Sequence, residues 1–317
     1  MWGTQNFVRY FYRDDITGMG PRWRIPVRRV REPGLPPTLG RNRTVPSITT
    51  NDSVRLDYIE VGNPNGRPLV FIAGFKAEAA SWLYQIEEFA QAGYRVLARA
   101  MRGHGTSEKP DWGHRMARRG MDLSNFLTTL DLREVTLVGQ SMGGNTVWSY
   151  LGLYGTGRVS GVVIVDQTPK MLNTDDWEHG FYGYTRQTMG STFERGIPGT
   201  GHGTPLLKRG RRLFRLFKAM KLRPSSFAPE PLTIGELALL NDSAQQDFRD
   251  VIQRLDVPAL FVAGADSEVW PSSHAEAAAS LNPLAYAEVI SNAGHATNVE
   301  QPYEFNDLLR RFLALTR

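Results

Sequence analysis

Residues 139–143, with the sequence GQSMG, place Ser141 between two glycines at the end of an apolar run. The run 134–139 (EVTLVG) predicts a buried strand, and residues 145–155 (NTVWSYLGLYG) predict a helix. A serine between a strand and a helix can stand on a sharp turn, because small neighbours let the backbone bend tightly and hold the hydroxyl clear of the sheet. We expect Ser141 to be a nucleophile, and the alternative is a serine in an ordinary strand–helix turn.

A serine hydroxyl needs a base before it can attack a carbonyl at neutral pH. The chain has six histidines, and His295 is the best placed, because it follows a predicted strand (285–291) and a glycine that lets the loop turn. His104 also follows a strand, within residues 102–107 (RGHGTS), and is the nearest rival. We expect His295 to be the base and His104 to stabilise its own loop.

Short apolar runs alternate with helical patterns around these residues. This alternation predicts an α/β fold, in which a mostly parallel sheet of the eight-stranded type is covered by helices on both faces. A β-hairpin is expected first, within residues 45–62, because two alternating segments flank Asn51-Asp52-Ser53. The predicted strands are 68–74, 94–100, 134–139, 161–166, 258–264 and 285–291, and the predicted helices are 80–93, 120–132, 145–155 and 302–317.

Composition divides the chain into three parts. Residues 1–44 contain five prolines and many arginines, and they predict an extension that docks on the domain or on a second subunit rather than on an anionic membrane. Residues 45–169 and 256–317 form the predicted core, and residues 170–255 predict a mostly helical cap. Within the cap, the helix 206–220 has an apolar stripe that we expect to face the core. The stripe consists of Leu206, Leu213, Phe214, Phe217 and Met220.

Composition and charge exclude several classes of protein. The 317 residues contain no cysteine, which excludes disulfides, thiolate metal sites and a cysteine nucleophile. No apolar run approaches the roughly 18 residues of a membrane-spanning helix. Asp14 and Asp15 stand where a signal peptide would be apolar, so we expect no export signal and a cytoplasmic protein.

The formal charge of +5 is spread unevenly along the chain. Residues 1–48 contain nine arginines against three acids, and residues 195–229 contain nine cations and no acid. No nucleic-acid motif accompanies this charge. We therefore expect a solvated arm and a basic surface helix rather than a nucleic-acid partner.

The chain contains the segments PLVFIAGF, RGHGTS, GQSMGG, FVAGADSEVWP and NAGHATNVEQP, followed by a closing helix. In combination they resemble the α/β-hydrolase fold family over residues 45–317, and within it the branch of serine esterases, lactonases and cofactor-free haloperoxidases. The resemblance implies Ser141 as nucleophile and His295 as base. It also implies an oxyanion hole formed by the backbone N–H groups of Phe75 and Met142, and no metal or organic cofactor.

The resemblance leaves two positions for the acid that accepts a hydrogen bond from the other nitrogen of His295. Asp266 follows the strand that ends in FVAG, the commoner place, but it stands one residue before the usual position, which is Ser267. Asp166 ends a wholly apolar strand, where a carboxylate without a partner is costly. We favour Asp166 and keep Asp266 as the alternative acid. Asp166 could instead form a turn, and Asp266 could instead belong to a loop or a helix cap.

The expected substrate is a bulky, hydrophobic ester or lactone that is cleaved through an acyl-enzyme, because the cap segment is rich in aromatic residues. Two other functions stay open. One is a hydrolase-fold protein that binds a small ligand with little turnover, and the other is a cofactor-free perhydrolase or haloperoxidase-like activity. Residues 1–44 are a candidate surface for a homo-oligomer. The expected pocket residues are Lys76, Trp82, Trp177, Phe181, Tyr182 and Trp270.

Overall fold

The structure is a computed structural model that describes residues 45–220 and 231–316. The predicted extension, with its docking and oligomer predictions, lies outside the described residues. The strands are β1 (Ser47–Thr49), β2 (Arg55–Gly62), β3 (Pro68–Ile72), β4 (Arg95–Arg99), β5 (Val135–Gln140), β6 (Val159–Val165), β7 (Ala259–Gly264) and β8 (Ala285–Ile290).

The strands form one sheet in the order β1-β2-β4-β3-β5-β6-β7-β8. The β1–β2 and β2–β4 pairs are antiparallel, and the pairs from β4 to β8 are parallel. The mostly parallel sheet predicted from the sequence is therefore confirmed. Parallel strands end at the same edge of a sheet, and Gln140 at the end of β5 pairs with Val165 at the end of β6. The residues that follow these two strands are consequently neighbours at that edge.

Helices cover both faces of the sheet, as the sequence predicts. Leu123 and Trp148 are buried between helices and the sheet on one side, and Phe89 and Leu309 are buried in the same way on the other. No described helix is long and apolar enough to cross a membrane. The helices are α1 (Leu83–Gln91), α2 (Met116–Thr129), α3 (Met142–Tyr154), α4 (Arg211–Met220), α5 (Ile234–Ala244), α6 (Arg249–Gln253), α7 (His274–Ala279), α8 (Thr297–Glu300) and α9 (Pro302–Leu315).

The segment between β6 and β7 is less helical than the sequence predicts. Helices α4, α5 and α6 lie in its second half, but residues 171–205 form turns and isolated bridges. Glycines recur through this stretch, and each costs a helix about 1 kcal/mol relative to alanine. The boundaries 170–255 for a separate cap stay a prediction.

Helix α4 begins only at Arg211 and buries only part of the apolar stripe predicted for 206–220, since Leu213 and Phe217 are half-buried. Phe214 is 64 % exposed and Leu206 is 46 % exposed, whereas Leu216 and Ala219 are buried against α1 and α8. Two arginines of α4 lie toward Glu300 instead, since Arg212 contacts its buried carboxylate at 3.4 Å and Arg215 donates to its backbone carbonyl at 2.7 Å. The prediction of a solvated basic helix is therefore wrong for Arg212, whose side chain is 12 % exposed and pairs with Asp266 and Glu300.

Candidate active site

Ser141 occupies the tight turn between β5 and α3. Its φ of 53° and ψ of −130° lie outside the regions that serine ordinarily adopts. The turn closes against β3, since a Cβ on Gly143 would stand 2.2 Å from the backbone oxygen of Ile72. Only glycine fits there, so the small residues of the GQSMG segment allow the bend that lifts the serine side chain off the sheet.

The side chains of Ser141, His295 and Asp166 form one hydrogen-bonded chain. His295 lies in the loop after β8, and its Nε2 is 2.9 Å from Ser141 Oγ. Its Nδ1 is 2.7 Å from Asp166 Oδ2. In this arrangement the carboxylate orients the imidazole, and the imidazole can take the hydroxyl proton.

Asp166 follows β6 directly and is fully buried. Its carboxylate accepts hydrogen bonds from the backbone N–H of Gly264 at 2.9 Å and from the Ser267 hydroxyl at 2.6 Å. Burial by itself would raise the pKa of Asp166, but the hydrogen bonds from His274 and His295 outweigh it and lower the pKa to about 2. The group is therefore ionised at neutral pH and can stabilise a protonated His295.

The alternative acid, Asp266, is engaged elsewhere. Its Oδ2 accepts hydrogen bonds from Arg212 and Thr204, each at 3.1 Å. The usual acid position is occupied by Ser267, whose hydroxyl donates a hydrogen bond to Asp166. The geometry thus brings Asp166, and not Asp266, to His295.

A network of ion pairs holds the His295 loop from the side of α4. Glu268 accepts a hydrogen bond from the His295 backbone N–H at 2.9 Å. Arg209 joins Glu268 to the fully buried Glu300, with both contacts at 2.8 Å. Arg212 lies 3.4 Å from the second oxygen of Glu300. We call Arg209, Glu268, Glu300 and Arg212 the loop clamp.

The charges around His295 raise its pKa. Desolvation by itself would lower the pKa, but the hydrogen bond and charge of Asp166 outweigh it, and Glu268 and Glu300 add to the effect. The imidazolium is thus favoured as a transient state, which is what a base needs after it has accepted a proton.

The rival histidine, His104, serves its own loop as expected. It is buried, and its Nδ1 lies 2.9 Å from the Arg102 carbonyl oxygen. Burial and the nearby Arg119 lower its pKa to about 3, so the ring is neutral.

The backbone N–H groups of Phe75 and Met142 are available at the site. Met142 is the first residue of α3, where an N–H has no intrahelical acceptor. The Phe75 N–H donates to no backbone oxygen among the described residues. Both residues line the same cavity as Ser141 and His295, so their N–H groups stay the candidates for an oxyanion hole.

This cavity is apolar and small, with a volume of about 40 Å³. Of the predicted pocket residues, Phe181 and Trp270 line it. Trp270 also packs edge-on against the His295 ring, with centroids 5.3 Å apart. Other residues that line the cavity were not predicted, since nothing in their local sequence pattern distinguishes them. They include Gln167, Met171, Ile197, Leu240, Ser243 and Val269.

The other four predicted pocket residues lie elsewhere. Lys76 is 41 % exposed and pairs with a carboxylate of α5. Trp82 is fully buried in the core beneath α9, and Trp177 donates its indole N–H to a backbone carbonyl. Tyr182 stacks on His202 with ring centroids 3.6 Å apart. Aromatic content alone could not separate packing from pocket lining.

The sequence analysis also missed the loop clamp. Arg209, Arg212 and Arg215 are spaced by three residues, which places them on one face of a helix. Arg215 donates to the Glu300 backbone carbonyl at 2.7 Å, so all three point to the His295 loop. The spacing was a readable signal, but no carboxylate stands near it in the sequence.

Known proteins agree with this architecture. A family model described as "alpha/beta hydrolase fold" matches residues 67–302. The chain is 29 % identical over 266 residues to non-heme chloroperoxidase CPO-A1 of Kitasatospora aureofaciens, covering 79 % of this chain and 92 % of that protein. It is 26 % identical over 268 residues to 3-oxoadipate enol-lactonase 2 of Acinetobacter baylyi, covering 82 % and 93 %.

A crystal structure of bromoperoxidase from Bacillus anthracis superposes with a TM-score of 0.68 at 26 % identity, covering 86 % of this chain and 100 % of that one. The family match spans more than half of the chain, and the solved structure shares its fold. The chain belongs to the alpha/beta hydrolase fold family.

Proposed function

We propose that this protein is a serine hydrolase that cleaves a carboxylic ester or a lactone through an acyl-enzyme. The observation that carries the proposal is the hydrogen-bonded chain from Ser141 Oγ to His295 (2.9 Å) and from His295 to Asp166 (2.7 Å), at the wall of an apolar cavity. The enol-lactonase of Acinetobacter baylyi, which acts on a lactone by its name, supports the substrate class.

The proposed reaction has two half-reactions. His295 takes the proton of Ser141 as the serine oxygen attacks the carbonyl carbon, and the N–H groups of Phe75 and Met142 hold the oxyanion. The tetrahedral intermediate expels the alcohol, which takes its proton from His295. Water then attacks the acyl-enzyme with His295 as base, and the acid leaves Ser141 free. In a lactone the alcohol stays attached to the acyl group.

The cavity narrows the substrate. A volume of about 40 Å³ is a few times the roughly 10–15 Å³ that one water molecule needs, so it accepts only a short acyl group. The bulky substrate expected from the sequence fits only if the wall at Phe181 and Ile197 moves. We therefore propose a short acyl chain and expect p-nitrophenyl acetate to be hydrolysed with a higher kcat/KM than the octanoate.

Labelling with a fluorophosphonate tests the nucleophile. We expect the probe to label the wild type, and Ser141→Ala to abolish both labelling and hydrolysis of p-nitrophenyl acetate. Ser243→Ala is the matched control, because Ser243 lines the same cavity but its hydroxyl accepts a hydrogen bond from Asn145. Unchanged hydrolysis in Ser141→Ala would falsify the proposal. Labelling without turnover on any ester or lactone would favour a ligand-binding protein.

A second candidate function is perhydrolysis. The names of the chloroperoxidase and bromoperoxidase relatives favour it. In that reaction hydrogen peroxide, instead of water, cleaves the acyl-enzyme, which gives a peracid and free Ser141. Peracid formation from acetate and peroxide, lost in Ser141→Ala, is the expected result if this activity is present.

A further inference from the structure

Three arginines are buried together between β4 and α2. Arg99 is the last residue of β4, Arg102 lies in the loop that follows, and Arg119 is in α2. Their exposed fractions are 0 %, 1 % and 1 %. Arginine is almost never fully buried unless it is paired, so each of these side chains needs a counter-charge.

Two carboxylates, Asp52 and Asp122, form ion pairs in this region, and both pair with Arg102 and Arg118. Arg102 contacts Asp122 at 2.8 Å and Asp52 at 2.9 Å. Arg118, on the outer side of α2, contacts the same two carboxylates at 2.7 Å and 3.4 Å. Two cations are thereby matched by two anions, and no carboxylate of the described residues forms an ion pair with Arg99 or Arg119.

The donor groups of Arg99 and Arg119 are also without acceptors. None of the three Arg99 nitrogens, and neither Nε nor Nη1 of Arg119, has a hydrogen-bond partner among the described residues. The remaining Arg119 nitrogen lies 3.5 Å from the ring of His104, which is neutral. The face of the Arg99 guanidinium packs over the Phe126 ring at 5.8 Å, which leaves its edge for an acceptor.

Neither arginine removes its unpaired charge by losing its proton. Burial lowers the pKa of Arg99 to about 10 and that of Arg119 to about 9, so both remain charged at neutral pH. Water molecules would satisfy the N–H groups but not the charge. The charge of Asp122 also acts on both arginines, but without contact, and only a bound anion would supply both a charge and an acceptor in contact with them.

We propose that Arg99 and Arg119 bind a small monovalent inorganic anion, of the size of chloride, between β4 and α2. The enclosure of both side chains excludes large organic anions, and their unpaired N–H donors would supply the ligands. The site is separate from the Ser141 chain, so its existence does not depend on the proposed hydrolysis.

Thermal unfolding in sodium chloride and in sodium gluconate at equal ionic strength tests the site. Gluconate is too large to enter, so only chloride can stabilise the folded state by binding. For the wild type we expect Tm to rise by about 2 °C for each tenfold increase in chloride above the dissociation constant. Equal Tm values in the two salts would overturn the proposal.

Variants locate the effect. Arg99→Met and Arg119→Met should abolish the difference between chloride and gluconate. Arg118→Met, one residue from Arg119 but already paired with Asp122, should keep it. A difference that persists in both Arg99→Met and Arg119→Met would place the anion elsewhere and overturn the assignment.

Crystals of the wild type grown in sodium bromide give an independent readout if the variants do not fold. We expect an anomalous bromide peak within about 3.5 Å of the Arg99 and Arg119 nitrogens. Density without an anomalous signal at that place would show water and overturn the proposal.

Discussion

The two halves of the active site are held in different ways. Ser141 and Asp166 follow the ends of β5 and β6, and their backbone N–H groups bond to the adjacent strands, at 3.0 Å to Val165 and 2.6 Å to Val262. His295 stands on a loop that side chains hold in place, chiefly Glu268 and the rest of the loop clamp. The sheet therefore positions one half, and buried charges position the other.

This difference predicts different sensitivities. Backbone hydrogen bonds within a sheet do not depend on the side chains, so we expect the Ser141 half to lose its position only when the turn itself is blocked. The loop clamp contains the fully buried Glu300, and loss of Arg209 leaves its charge with only the longer contact to Arg212. The loop clamp also connects α4 to the His295 loop, because Arg212 of α4 contacts Glu300 and Glu268 accepts the His295 N–H. A change in the position of α4 should therefore affect the position of the base.

The largest expected effect is on Asp166, where the two halves meet. Asp166→Asn should reduce kcat by about 10⁴-fold, because the amide no longer holds His295 in the productive tautomer. Asp266→Asn is the matched control, which loses only the pairing with Arg212 and should retain kcat within about tenfold. Steady-state hydrolysis of p-nitrophenyl acetate measures both. A larger loss in Asp266→Asn would reverse the assignment of the acid.

Arg209→Met should destabilise the His295 half. We expect the free energy of unfolding to fall by about 3 kcal/mol, because the buried Glu300 loses its nearer partner and keeps only the 3.4 Å contact with Arg212. We also expect kcat to fall more than KM changes, since the clamp positions the base and does not line the cavity. The control is Arg211→Met, which changes an exposed cation two residues away.

Urea unfolding and steady-state kinetics measure the two effects of Arg209→Met. If this variant and Arg211→Met were equally stable and equally active, side chains would not be what holds the loop.

Gly143→Ala should damage the Ser141 half. A Cβ would stand 2.2 Å from the Ile72 oxygen, and the backbone must move to relieve the clash, which costs about 2 kcal/mol. Gly157→Ala is the control, because nothing lies within 4 Å of a Cβ there. Urea unfolding compares the two variants. Equal stability would show that the turn is not tightly packed.

The smallest expected effect is a shift in the pH profile. The pKa of His295 is raised above its ordinary value of 6.5, so kcat/KM should fall as pH drops below that raised pKa, where the base is protonated. Glu268→Gln removes one negative charge but keeps an acceptor for the His295 N–H. It should therefore move the acid limb to lower pH.

The stability that His295 contributes follows the opposite sign from activity. A raised folded pKa adds stability that is complete below the unfolded pKa of about 6.5 and is lost as pH rises through the folded pKa. An acid limb that is identical in Glu268→Gln and the wild type would show that this carboxylate does not act on the base.

Local patterns were sufficient to predict the alternating strands and helices and the turn at Ser141. Periodicity and glycine spacing act over a few residues, so they can be read directly. The same analysis could not separate lining aromatics from packed ones, because Trp82 and Phe181 differ only in what surrounds them. It also misjudged the buried face of α4.

The chain alone thus determines that a serine stands on a strained turn after a buried strand and that a histidine follows the last strand. The chain also favours Asp166 as the acid, but only the tertiary structure shows that Asp166 and not Asp266 reaches that histidine, and what α4 pairs with. The reason is distance along the chain: Arg209 meets Glu300 across 91 positions and Asp166 meets His295 across 129. Such pairs exist only after the sheet has brought its loops to one edge, and no short-range pattern encodes them.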